Sequence, residues 1–331
     1  VNWAPHNPAP HAGMVRLWCL EAFAHGAEVV SIFRWRQAPF GQEQMHAGLL
    51  SPDGRGTTAL DEFSRVANEA GALSRTSEPA PVALAFDYES AWAYEIEPQG
   101  EEFSYFDLVF DAYRALRRLG LSVDIIGPDL DGLAGRKLVV VPGLFHLSER
   151  ARTALANTGA QVLLGPRTGA KTKNFQIPST LPPGLGAQSL DVTVKAVESL
   201  RPDTPVAAGD GAFRLWREFI EVGDAAVAQD HAEDGHPTGA RQGNISYIAG
   251  WPDPMLWRSI LLEAATKAHL QTVELTDGLR VQDCGEHRMV FNYSPDPKNI
   301  ETLVGAGLIF GSSPLAPFDV ALARKGSTPG S

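Results

Sequence analysis

Residues 33–48 read FRWRQAPFGQEQMHAG and crowd Arg, aromatic, Glu and His side chains into one short stretch. Those residue types could do two kinds of chemistry. Glu43 and His46 stand at Glu-x-x-His spacing, which puts both on one helical face. Carboxylate-bridged metal sites use that spacing twice, with further Glu from other helices. Here it occurs once, beside Gly and Gln, so no metal site is expected. The second chemistry is recognition of a polyol. Carboxylate, amide and imidazole groups fork onto vicinal hydroxyls, while aromatic rings lie under the C–H faces of a sugar. Phe33, Arg34, Trp35, Arg36, Glu43 and His46 supply both kinds of group, with Trp3 upstream.

These residues need a scaffold. The run GAEVVSI before them reads as a buried strand over about 27–35, and a loop leaving the C-terminal end of a barrel strand is where a (β/α)8 fold builds its substrate contacts. The strand is flanked by a helix with Val15, Trp18, Cys19, Ala22 and Phe23 on one face and another with Leu60, Phe63, Val66, Ala67 and Ala70. One strand cannot close a sheet, so its partners are expected upstream of Val1. After the linker-like SRTSEPAP, apolar strands PVALAFDY, LSVDIIGP, KLVVVPGL, AQVLLGP and NISYIAGW alternate with helices. That alternation predicts a parallel sheet covered on both faces, a flavodoxin-like α/β domain. Ser104 and Asp107 predict a capped helix with Phe106, Val109, Phe110 and Tyr113 on its face, and Asp253-Pro254 starts another. From 272 onward, short strands between Gly, Pro and Asp turns predict a small antiparallel β domain, ending in a disordered tail.

Other functions find little support. The turns of the second zone carry no GxGxxG or GxxxxGK, so no nucleotide cofactor is expected. An amidotransferase would need a nucleophilic Cys or Ser beside a His at a strand-to-helix turn, and neither Cys19 nor Cys284 lies in that zone. The two cysteines form no metal spacing and no disulfide framework. With 331 residues, 44% hydrophobic, and a formal net charge of −11, the chain lacks the basic face that nucleic acid requires. No apolar run reaches membrane length. A cytoplasmic protein is expected, with no nucleic-acid and no membrane partner.

VNWAPHNPAP, the helix with RLW and EAFAHGAEVV, FRWRQAPFGQEQMHAGLL and PVALAFDYE together resemble the C-terminal half of the β-galactosidases of glycoside hydrolase family 42. The resemblance implies the end of a (β/α)8 barrel (1–78), a flavodoxin-like trimerisation domain (79–271) and a small β-sandwich-like domain (272–331). It implies a galactoside substrate, a homotrimer, and retaining hydrolysis of terminal β-D-galactosyl residues. By the same resemblance Trp3 lines the galactose pocket, Phe33 forms its wall, and Glu43 with His46 bonds sugar hydroxyls. Arg34 and Arg36 are expected to hold the loop through ion pairs. Retaining glycosidases need two carboxyl groups about 5 Å apart. The resemblance places both upstream of Val1, so no catalytic residue is assigned here and the chain is expected to be an inactive fragment. The alternative is a non-catalytic oligomerisation or sugar-binding module.

Overall fold

The computed structural model describes residues 6, 8–73, 79–304 and 307–325. It divides into two compact units, one of residues 1–78 with 275–331 and one of residues 79–274. Three separate zones were expected; instead the first and last segments share one unit.

In the first unit, α1 (Met14–Ala24) and α2 (Thr58–Glu69) flank the loop of interest. Gly13 precedes α1 at φ 96°, and a Cβ there would collide with the Phe318 carbonyl. α1 buries Leu17, Cys19, Leu20 and Ala24 and leaves Trp18 46% exposed. Its core face is therefore rotated from the expected one, because the helix is apolar nearly all round and its partner selects the face. That partner is the sheet at the end of the chain.

The second unit runs through β1 (Val82–Ala85), α3 (Tyr88–Ile96), α4 (Tyr105–Arg118), β2 (Val123–Ile126), β3 (Leu138–Val141), α5 (Glu149–Asn157) and β4 (Gln161–Leu164). It continues through β5 (Val192–Ser199), β6 (Val206–Ala208), β7 (Gly211–Val222), β8 (Val227–His231), β9 (Pro237–Gln242), β10 (Ile245–Ile248), β11 (Gly250–Pro252) and α6 (Pro254–Lys267). The main sheet has the order β2-β1-β3-β4-β10-β9-β8. It is parallel through β10 and antiparallel at β9 and β8. β1 and β3 are buried throughout, as the continuous apolar runs require. Asp87, Ser104, Ser148 and Asp253 cap α3, α4, α5 and α6, satisfying backbone N–H groups that a helix start leaves unpaired. On α4, burial falls on Leu108, Val109, Ala112, Ala115 and Leu116, whereas Phe106 and Phe110 are exposed.

A second sheet, β11-β7-β5 with β6 on β7, has no counterpart in the sequence reading. Glu218 of β7 is buried within the unit and accepts from the Arg167 amide at 3.1 Å, the Trp216 indole at 3.4 Å and the Tyr247 hydroxyl. Burial pushes its carboxyl up, against the opposing charge of Arg167.

The chain returns to the first unit with β12 (Leu279–Cys284), β13 (His287–Asn292), α7 (Glu301–Val304), β14 (Leu308–Phe310) and β15 (Val320–Arg324). The four strands form an antiparallel sheet, β12-β13-β15-β14. Met289, Phe291, Val320 and Leu322 pack with Leu17, Leu20 and Val66 in one core. Arg16, 2% exposed, ties these elements together. Its guanidinium reaches Glu69 of α2 at 2.6 Å and also pairs with Asp319, next to β15. Glu62 of α2 caps the start of α1, accepting from the amides of Gly13 at 2.6 Å and Arg16 at 3.1 Å.

Residues 27–35 are not a strand. The stretch is extended in part but pairs with no strand among the described residues. A barrel strand exists through ladder bonds to neighbours on both edges, and apolar content without such neighbours does not produce one.

Removing the Arg16 side chain leaves the largely buried Asp319 carboxylate without its guanidinium and Glu69 with only the longer Arg65 pair at 3.6 Å. Arg16→Ala should cost about 3–5 kcal/mol, read as a lower denaturant midpoint; an unchanged midpoint would show that the junction contributes nothing. The thiols give a second test. Burial raises the Cys284 thiol to about 11, and Cys19 is raised by burial and by the charge of Glu62. A raised thiol stabilises the fold below the unfolded value of about 8.5, and for Cys284 this is lost as pH rises toward 11. Both cysteines should resist a thiol reagent at pH 8 until denaturant is added; rapid native labelling would contradict this.

Candidate functional site

The loop between α1 and α2 makes its own architecture from backbone bonds. The Leu49 amide donates to the Arg34 carbonyl at 2.9 Å, Leu50 donates to Trp35 at 2.7 Å, and Gln37 donates to Leu50 at 2.9 Å. Residues 34–37 and 48–50 thus run side by side, with an isolated parallel bridge at Arg36 and Leu50. Gly48 permits this approach, since a Cβ there would lie 2.6 Å from the Gln37 nitrogen and 2.8 Å from the Arg36 carbonyl carbon. Thr57 anchors the far end, its hydroxyl and amide both donating to the Leu49 carbonyl at 2.9 and 3.0 Å. Between the two stems, Gly41 at φ 83° opens a single 3-10 turn over Gln42–Met45. The Gln37 side chain secures that turn by donating to the Gln44 carbonyl at 2.7 Å.

The self-paired loop brings four side chains into one cluster. Arg34 pairs with Glu43, and its guanidinium lies 4.5 Å from the centroid of the Phe33 ring. His46 meets the same ring edge-on, at 5.9 Å. Phe33 is 66% exposed, while Glu43 and His46 are half-buried. The arrangement offers an accessible aromatic surface beside a carboxylate whose orientation is set by a guanidinium, with an imidazole edge-on to the same ring. It suits the apolar C–H face of a pyranose together with adjacent hydroxyls.

Of the four residues expected at a sugar site, Phe33, Glu43 and His46 come together, and Trp3 lies outside the described residues. Arg34 forms an ion pair within the loop, as expected; Arg36 carries the backbone bridge instead. Trp35, Phe40 and Met45 on the same loop are also exposed. The closing contacts of Gly48 and Thr57 had not been expected. The signal available for them is the spacing of a Gly and a Thr after a loop that must turn back. Among the described residues no three His, Cys, Asp or Glu gather in a way that could hold a metal, and no helix is long and apolar enough to cross a membrane.

The family model described as the β-galactosidase trimerisation domain matches residues 80–271, and that described as β-galactosidase matches residues 1–73. The chain belongs to glycoside hydrolase family 42. Among relatives in this family, a β-galactosidase of Thermus thermophilus is 46% identical over 327 residues, covering 97% of this chain and 50% of the relative. The crystal structure of a β-galactosidase from the psychrophilic Marinomonas ef1 superposes with a TM-score of 0.91 at 38% identity, covering 98% of this chain and 51% of that one. That of the haloarchaeon Halorubrum lacusprofundi gives 0.88 at 31% identity, covering 98% and 52%. The chain therefore spans about half the length of the family members it matches. The superpositions establish a mixed α/β fold in common with these enzymes.

The loop's closure rests on backbone packed against Gly48. Gly48→Ala should push the two stems apart and cost about 1–3 kcal/mol locally. Limited trypsin digestion should then cut at Arg34 or Arg36 well before the wild-type loop is cleaved; equal cleavage rates would show that the stems tolerate a side chain.

Proposed function

We propose that this chain supplies the galactose-binding side of a retaining β-galactosidase that hydrolyses terminal β-D-galactosyl residues. The observation that carries the reading is the cluster of Phe33, Arg34, Glu43 and His46 on a loop closed by its own backbone, in a chain of this family. In this reading Phe33 forms the pocket wall under the sugar ring. Glu43, oriented by Arg34, accepts from galactose hydroxyls and His46 bonds a neighbouring one. Trp3 completes the pocket by resemblance. No residue of the chain is assigned as nucleophile or as acid/base. Glu43 is committed to Arg34, and a retaining pair needs a second carboxylate about 5 Å away.

The finer architecture belongs to the same reading. Residues 1–78 are the end of a (β/α)8 barrel, to which they bring α1, α2 and the loop between them. Residues 79–271 are a flavodoxin-like trimerisation domain, supported by the parallel order β2-β1-β3-β4-β10, which in chain order is the 2-1-3-4-5 of that fold. In place of the expected β-sandwich-like domain, the last segment adds one four-stranded antiparallel sheet that packs on α1 and α2 in the first unit, because a single sheet needs only one covering layer and the helices supply it. The working assembly is a cytoplasmic homotrimer. A non-catalytic sugar-binding or oligomerisation module is the alternative.

Hydrolysis of a chromogenic β-galactoside separates the two. The chain alone should give no turnover. Mixed with the half of the Thermus thermophilus relative that it does not match, it should restore activity, and Glu43→Gln should then lower kcat/KM by about 10- to 150-fold, the loss of charge-assisted bonds worth ~1.5–3 kcal/mol. Turnover by the chain alone that disappears in Glu43→Gln would place the reacting carboxylate on this loop and refute the assignment. Binding of galactose without any restored turnover would favour the module.

A further inference from the structure

The second unit carries an aromatic surface that its own core does not use. On α3, Tyr88, Trp92 and Ile96 recur every fourth residue and are 67%, 57% and 70% exposed. On α4, Phe106 and Phe110 repeat the same spacing and are 60% and 44% exposed. The two stripes form one continuous patch. Phe86 stands between them, its ring centroid 4.9 Å from that of Tyr88 and 6.3 Å from that of Phe106, while Phe106 stacks on Phe110 at 6.0 Å. Every exposed large aromatic side chain of this unit, among the described residues, lies on these two helices. The α4 stripe ends in Arg114, whose guanidinium sits 5.8 Å from the Phe110 ring centroid.

Monomeric proteins rarely leave contiguous apolar patches of this kind uncovered. Aromatic and Arg side chains are enriched at interface centres, and Glu89, Glu95 and Asp107 are the exposed acidic residues of the same two helices. We infer that the α3–α4 aromatic face is the surface through which one copy of this chain binds the next. The occupant follows from two observations. The patch lies inside residues 80–271, matched by a model described as a trimerisation domain. The chain also carries a net charge of −11, so copies repel over most of their surface and a self-contact needs a large apolar area to offset that repulsion, which this face supplies. A closed ring of three uses a heterologous contact, so this face meets a different patch on the neighbouring copy. The inference rests on the homotrimer reading and adds to it the residues that make the contact.

Sedimentation of the 331-residue chain tests both levels. Wild type should have three times the 35.6 kDa mass of one chain. The double variant Trp92→Glu/Phe110→Glu should dissociate to single chains, with the dissociation constant raised roughly 100-fold or more. The milder Trp92→Ser/Phe110→Ser should weaken assembly in the same direction, and thermal unfolding should show both variants folded. Ile177→Glu, equally exposed elsewhere in the unit at 63%, should remain trimeric. Trimeric wild type with trimeric double variants would overturn the inference and leave the homotrimer standing, and dissociation of Ile177→Glu would overturn it by removing its specificity. A wild type that stays at the mass of one chain at every concentration would sink the homotrimer reading itself, and this inference with it.

Discussion

Arg16 joins three pieces of chain that the sequence keeps far apart, and the candidate sugar loop depends on that junction. The loop hangs between the end of α1 at Ala24 and the start of α2 at Thr58. Its shape is defined only if the two helices keep a fixed spacing. The Arg16–Glu69 pair and the Glu62 cap set that spacing from the two helices themselves, and the Arg16–Asp319 pair fastens it to β15. A buried ion pair is not in itself a large source of stability, because desolvation cancels much of the Coulomb gain. Its value here is geometric: a wrong helix register leaves a buried guanidinium or carboxylate unpaired, which is costly enough to exclude that register.

The same principle operates at smaller scale within the loop. Glu43 is presented beside Phe33 because Arg34 engages the carboxylate and lies over the ring. A freely rotating carboxylate would lose side-chain freedom on meeting a ligand, and one already held by a guanidinium has less to lose. The loop's backbone reinforces this, since residues 34–37 and 48–50 satisfy each other's amides and carbonyls and need no neighbouring strand to do so. That independence explains how an ordered cluster persists although 27–35 forms no ladder.

Sequence patterns were informative where one physical cause dominates. Continuous apolar runs located β1, β3, β4 and β10, because strands covered on both faces admit little else. The caps at Ser104 and Asp253 were legible from residue type alone. The candidate residues Phe33, Glu43 and His46 stood out as chemistry-bearing groups after an apolar run, and the structure brings them together on one loop. Periodicity failed where tertiary partners decide. On α1, apolar side chains lie on most sides, and the sheet selected Leu17 and Leu20 while leaving Trp18 exposed. On α4, Phe106 and Phe110 satisfy a helical spacing yet face outward. β5 to β9 were missed because their alternation is broken by charges such as Arg217 and Glu218, and Glu218 points inward only because Trp216, Tyr247 and the Arg167 amide meet it there. The strand expected at 27–35 failed for the converse reason: its pattern was adequate, but it pairs with no strand among the described residues.

The unit that carries the candidate site is discontinuous, with residues 79–274 inserted between its two halves. During synthesis from the N-terminus, α1 and α2 leave the ribosome long before the sheet they pack against, whereas the inserted unit is complete in itself and free to form first. Leu17 and Leu20 must wait for Phe291 and Leu322. Closure entropy grows only slowly with the length spanned, so the long insertion adds little to the cost of bringing the two flanking segments together. The candidate loop is therefore among the last parts to acquire its shape, and nascent chains that stop short of β15 would expose the apolar side of α1 to chaperones.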